Sequence, residues 1–139
     1  MSDHHKRLFA TLMEEVFNRG NYDAADEFVA VDFRNHEAPD SPGPEGFKAT
    51  ARWLRHVFPD YRAELHETLS DGDYIVARLI VSGTHLGEFM GVPGTGRSFS
   101  VQHIHMYRLE DDKLAEHWAC RDDLGQLIQL GLSLPTASG

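Results

Sequence analysis

The spacing of apolar residues changes from a helical to an alternating period at Pro59, and that change constrains the fold more than any other feature of the sequence. Before it the period is helical. In residues 3–19, Leu8, Phe9, Leu12, Met13, Val16 and Phe17 form one broad stripe, and Gly20 is placed to end the helix. Asn21 is a candidate cap for a second, short helix that buries Ala25, Phe28 and Val29. Turn formers follow from Asn35 through Pro39, Pro42 and Gly43. Pro44 then suits the first turn of a third helix, with Phe47, Ala51, Leu54 and Phe58 on one face. After Pro59 the period is two. Tyr61, Ala63, Leu65 and Leu69 alternate with polar residues, Asp71-Gly72 marks a turn, and residues 74–84 read as a strand buried on both faces. Residues 85–96, rich in glycine and containing Pro93, read as a loop or a broken strand. Two further strands are expected over 97–109 and 114–121, joined by a short polar connection. Asp122 or Asp123 caps a last helix carrying Leu124, Leu127, Ile128 and Leu130, which Gly131 ends.

Helices first and antiparallel strands after is the α+β pattern. The expected architecture is a curved sheet of four to six strands, wrapped as an open cone over three N-terminal helices, with a short C-terminal helix. Such a cone leaves a concave pocket. No repeat or linker divides the chain, so residues 1–134 are expected to be one domain and residues 135–139 a loose tail. At 139 residues and 41% hydrophobic content, one real core is available. The net charge of −9 repels phosphate backbones and anionic lipid heads, which argues against nucleic acid and membrane surfaces as partners. The single cysteine, Cys120, rules out an internal disulfide and a Cys-rich zinc module. The N-terminus lacks the apolar run of a signal peptide, and no stretch has the length of a membrane helix, so a cytoplasmic location is expected.

The last hairpin concentrates the chemistry. With Asp111-Asp112 as a two-residue turn, His105 faces Trp118, His103 faces Cys120 and Val101 faces Asp122. One sheet face then collects His103, His105, Trp118, Cys120 and Asp122, and the opposite face collects Gln102, Ile104, Met106, His117 and Arg121. A carboxylate among apolar and aromatic groups is a better proton acceptor, and neighbouring histidines can hold an enolate oxygen. The plainer alternatives are that Asp122 is only a helix cap and that the histidines are satisfied core or rim residues. His-x-His with Asp122 or Cys120 also has permissive metal-ligand spacing, but no metal is expected. Arg78, inside an apolar strand, needs a partner. The outward Ile104, Met106 and His117 suggest association into a homodimer or homotetramer.

Several segments together resemble the SnoaL-like polyketide cyclase family, of the nuclear transport factor 2-like fold. They are Gly20-Asn21-Tyr22-Asp23-Ala24-Ala25, Asp32-Phe33-x-Asn35-His36, Gly46-Phe47 through Phe58-Pro59-Asp60, Gly83-Thr84-His85-x-Gly87-Glu88-Phe89-x-Gly91-Val92-Pro93-x-Thr95-Gly96, and His105-x-x-Arg108. The most specific is Glu116-His117-Trp118-x-x-x-Asp122-x-Leu124-Gly125-x-Leu127-x-Gln129-Leu130-Gly131. The resemblance implies ring closure of an aromatic polyketide by intramolecular aldol condensation, with no metal or organic cofactor. It implies Asp122 as general acid/base, supported by His105, with Asn35 as a polar pocket residue. His103, Trp118 and Tyr107 are the further expected substrate contacts, and the expected ligand is an apolar or aromatic small molecule. The alternatives are a non-catalytic carrier of such ligands, and an epoxide hydrolase or ketosteroid isomerase-like enzyme on the same fold. In the hydrolase Arg78 would supply an arginine, and in the isomerase Tyr107 an oxyanion donor.

Overall fold

Helices gather before Pro59 and strands after it, with two exceptions that matter for the site, an early strand and the C-terminal helix. The computed structural model describes residues 2–134, so the expected tail at 135–139 lies outside the described residues. Helix α1 (Ser2–Leu12) runs on through a π-helical stretch, Met13–Asn18, before Gly20 turns the chain at φ 73°. A 3-10 turn (Tyr22–Ala24) leads into α2 (Ala25–Phe28). Asn21 precedes this turn without capping it; its amide donates to Glu15 instead (3.3 Å). The expected short helix ends at Phe28, and Val29 opens strand β1 (Val29–Asn35), where only a helix end and a loop were expected. The segment carries β-branched Val29 and Val31 with Phe33, and its buried positions, Val29 and Phe33, are four apart. That spacing fits either period, so apolar pattern alone does not reveal the strand.

Helix α3 (Gly43–Val57) begins with Pro44 in its first turn and stops before Pro59, as the sequence dictates. Strands β2 (Arg62–Asp71), β3 (Tyr74–Thr84), β4 (Ser98–Glu110) and β5 (Lys113–Arg121) follow, and α4 (Asp123–Leu130) closes the described chain. The sheet is mixed and five-stranded, in the order β1-β5-β4-β3-β2, with β1 parallel to β5 and every other pair antiparallel. Strand β3 is buried on one face and half-buried on the other, which corrects the expectation of burial on both. Its inward residues, Ile75, Ala77, Leu79 and Val81, belong to the same core as Phe9, Leu12, Val16 and Phe58 of the helical layer.

Polar side chains tie the two layers together. The Asn18 side chain accepts from the Ala63 N–H (2.7 Å) and donates to its carbonyl (3.0 Å), which docks the end of the π-helical stretch on the first residues of β2. Arg55 Nη1 reaches the carbonyls of Phe17, Asn18 and Tyr61 at 2.9–3.2 Å, satisfying acceptors at a helix end that has no following turn. Lys48 is buried and held by Asp26 and Glu45, whose hydrogen bonds push its pKa up. Arg78 lies on the outer sheet face. It donates twice to Glu67 (2.9 and 2.7 Å) and once to Gln102 (3.3 Å).

Candidate active site

A single extra residue in β5 decides which side chains share the site. Glu110 pairs with Lys113 and Leu109 with Leu114 around the Asp111-Asp112 turn, as the sequence predicts. Arg108 then pairs with Glu116, so Ala115 is a β-bulge. Beyond it the partners are Tyr107 with His117, Met106 with Trp118, His105 with Ala119, Ile104 with Cys120 and His103 with Arg121. The two-residue turn alone predicts a register one residue off, and a one-residue slip turns every side chain to the other face. His117 and Arg121 therefore join His103, His105 and Tyr107 on the inner face. Trp118 and Cys120 lie on the outer face with Ile104 and Met106, not beside the histidines. Leu114 to His117 are all buried, so both faces of β5 are covered here and the alternation of burial carries no mark of the bulge.

The inner face carries a chain of hydrogen bonds whose direction follows from one backbone amide. The Glu37 N–H donates to Asn35 Oδ1 (3.0 Å), which fixes that atom as the oxygen. His117 Nδ1 lies 2.8 Å from the same oxygen and must carry a hydrogen to donate to it. His117 is buried, and burial together with the nearby Arg121 charge pushes its pKa down to about 3, so the ring is neutral and Nε2 is bare. His117 Nε2 accordingly accepts from His105 Nδ1 (2.8 Å), and His105 Nε2 accepts from His103 Nδ1 (3.2 Å). The same causes hold the other two rings neutral. Burial and the adjacent His117 and His103 push His105 well below the usual histidine range, and burial with Arg121 pushes His103 down to about 4. Asp123 and Asp122 oppose that shift at His103. All three rings are thus Nδ1–H tautomers, and the chain ends at a bare nitrogen, His103 Nε2. Tyr107 stacks on His117 (4.3 Å, 16°), and burial pushes its pKa up, so it stays a neutral phenol.

This polar wall faces a cavity of about 510 Å³. Met13, Phe17, Phe47, Trp53, Leu54 and Phe58 close it from the helical side, Leu79 and Val81 from the sheet, and Leu124 and Leu127 from α4. A largely apolar cavity with a few convergent polar groups is the usual form of a small-molecule site. Of the expected site residues, Asn35, His103, His105 and Tyr107 line it. Trp118 is on the far side of the sheet, stacked on His36 (4.9 Å). Asp122 is exposed at the N-terminus of α4 and caps it, its Oδ1 accepting from Gly125 N–H at 2.8 Å. The carboxylates that line the cavity are Glu37 and Asp123, the latter paired with Arg121 at 3.4 Å. Arg78, on the outer face, cannot supply an arginine here. Among the described residues no group of three or more His, Cys, Asp or Glu side chains is placed to hold a metal ion; each imidazole nitrogen between rings is engaged by its neighbour.

The fold and this wall define a class: an α+β protein whose mixed sheet and helical layer enclose a largely apolar, histidine-lined cavity. The chain belongs to the SnoaL-like polyketide cyclase family, whose family model matches residues 7–130. It is 37% identical over 133 residues to aklanonic acid methyl ester cyclase DnrD of Streptomyces peucetius, covering 91% of each chain. It is 33% identical to nogalonic acid methyl ester cyclase of Streptomyces nogalater, covering 91% of this chain and 98% of that one. Among solved structures it is similar to TsrD from Streptomyces laurentii (32% identity, TM-score 0.83, 92% and 95% of the two chains). It is also similar to IdmH from Streptomyces antibioticus (33% identity, TM-score 0.79, 92% and 99%). Among the described residues no helix is long and apolar enough to cross a membrane.

Proposed function

We propose that this protein closes a ring in an aromatic polyketide ester by intramolecular aldol condensation, with His103 Nε2 as the proton acceptor and no metal or organic cofactor. The observation that carries this reading is the directed chain from Asn35 to His103, which leaves one bare imidazole nitrogen on a residue that lines a largely apolar cavity. His103 Nε2 takes a proton from a carbon alpha to a carbonyl, and the electron pair moves onto that oxygen as an enolate. Asn35 Nδ2 and the Arg121 guanidinium are the donors available for the developing charge. The carbanion attacks a second carbonyl held near it by the cavity walls, so ring closure becomes a matter of positioning. The new alkoxide recovers the proton from His103, and no proton is gained or lost overall.

With a pKa of about 4, His103 is a weak base before the enolate forms, and this is consistent with the role. The Arg121 charge that disfavours the imidazolium is offset as the enolate forms, so the ion pair is stabilised chiefly in the transition state. Asp122 and Asp123 act in the same direction by raising the proton affinity of His103. A second reading gives the proton directly to Asp122. It is favoured by the family's Trp-x-x-x-Asp motif and by Asp122 Oδ2, which is free of the capping bond. The test is conversion of a methyl-esterified polyketide to its ring-closed isomer, followed by chromatography and mass spectrometry. Ring-closed product is expected; tight binding without conversion would favour a carrier of the same ligands and contradict the enzyme reading.

The outer sheet face carries half-exposed Ile104 and Tyr74 beside Met106 and Trp118. We propose that this face associates with a second copy, as a homodimer or homotetramer. His117, expected outward, is not part of it. Sedimentation of a monomer at micromolar concentration would contradict this association.

A further inference from the structure

Residues 89–92 form a closed turn in which Phe89 and Val92 exchange both backbone hydrogen bonds, each at 2.9 Å. Its two central residues, Met90 and Gly91, have φ of 53° and 78°. Positive φ at both positions is the pattern for which Asn-Gly and Asp-Gly are selected, since Asn, Asp and Gly tolerate the left-handed region. The same protein obeys this preference at its other such turn, where Asp111 and Asp112 have φ of 51° and 60°. Met90 breaks it. An unbranched apolar side chain gains nothing locally that would offset the clash between its Cβ and the backbone.

Core packing does not account for Met90, which is 49% exposed. Its remaining environment is the cavity, which it lines at the mouth together with Trp53, itself 48% exposed. The turn stands on a fixed base. Phe89 packs on Phe58 and Trp53, both at 5.7 Å, and fully buried His85 pairs with Arg97 and Gly96 through its backbone. A strained residue on a well-held base, bordering a cavity, is the circumstance in which strain persists because the side chain does something there.

We propose that Met90 is a substrate-contacting, specificity-determining residue, held in the left-handed conformation so that its thioether lies with Trp53 against the flat aromatic part of the substrate. The inference rests on the reading of the cavity as an aromatic-polyketide site. Sulfur against a ring edge is a favourable contact, and the flexible Met side chain adapts to rings of different outline. The test uses 1,8-dihydroxyanthraquinone as probe, its Kd read from quenching of tryptophan fluorescence, alongside thermal melting without ligand. Met90→Asn, which suits the turn but cannot make the contact, is expected to raise Tm by about 3 °C and to weaken probe binding at least fivefold. Met90→Leu, which keeps the apolar reach, is expected to bind within twofold of the wild type. Wild-type affinity in Met90→Asn overturns the inference while leaving the cavity reading intact. A fall in Tm in Met90→Asn means that the side chain holds the loop, and overturns it whatever happens to affinity. Failure of the wild-type protein to bind the probe sinks the aromatic-cavity reading, and this inference with it.

Discussion

Acidification from pH 7.5 to pH 5 is expected to remove about 4 kcal/mol of folding stability through two histidines of the cavity wall alone. His103 and His117 have pKa values near 4 and 3 in the folded protein, because burial disfavours their charged forms. In the unfolded chain each returns to about 6.5. Between these values the unfolded state binds more protons, so stability is full above pH 6.5 and falls as pH drops towards the folded pKa values. At pH 5 each unfolded histidine is almost fully protonated and each folded one almost fully neutral. At about 1.4 kcal/mol per pH unit this amounts to roughly 2 kcal/mol for each ring. His105, shifted in the same direction, adds to the loss. The total is a large share of the roughly 5–15 kcal/mol that holds a domain together. Urea unfolding followed by circular dichroism checks it: with m of about 2 kcal/mol/M, the midpoint should fall by about 2 M over this interval. His117→Gln should flatten the dependence by about one proton. A midpoint that stays constant from pH 7.5 to 5, or a variant as pH-sensitive as the wild type, would refute neutral, buried rings and with them the assigned tautomers.

The order of elements was legible because apolar spacing and turn chemistry act locally. Pro44, Pro59, Gly20 and Gly131 each sit where the helices begin or end, and Gly131 adopts φ 74° as a helix-ending glycine should. The cap of the last helix was legible only as Asp122 or Asp123, and the structure has Asp122 in that place. Strand β1 was not legible, because it is made by its parallel partner β5, far away in sequence, and its buried positions fit a helix as well as a strand. The site was half legible. Asn35, His103, His105 and Tyr107 reached the cavity, but the bulge at Ala115 exchanged the predicted Trp118 and Cys120 for His117 and Arg121. Turn length sets the register only as far as the first irregularity, and bulges depend on the packing of both strands. Asn35 and His117 are 82 positions apart, so their hydrogen bond had no signature in local spacing.

Three further outcomes follow from the same geometry. The pH profile of kcat/KM should be level from pH 8 down to about 5.5, because His103 titrates near 4; an acid limb centred at 6.5 would mean an unburied, ordinary histidine. Asp122→Ala should lower stability by about 1 kcal/mol through loss of the cap on Gly125, whereas Asp122→Asn, which can still accept that bond, should melt close to the wild type. Gly83→Ala would place a Cβ 2.8 Å from Phe58 Cβ and 3.3 Å from the Phe99 ring, and should cost about 1–3 kcal/mol in urea unfolding.

The central claim is that His103 moves the proton while Asp122 only tunes it. Single-turnover ring closure of a methyl-esterified aromatic polyketide, in His103→Phe and Asp122→Asn variants confirmed as folded, tests it most directly. The account predicts a loss of at least about 100-fold in His103→Phe and less than about tenfold in Asp122→Asn, a change of at most 1.4 kcal/mol in the barrier. Ring closure that survives in His103→Phe and disappears in Asp122→Asn would contradict it and give the proton to the carboxylate.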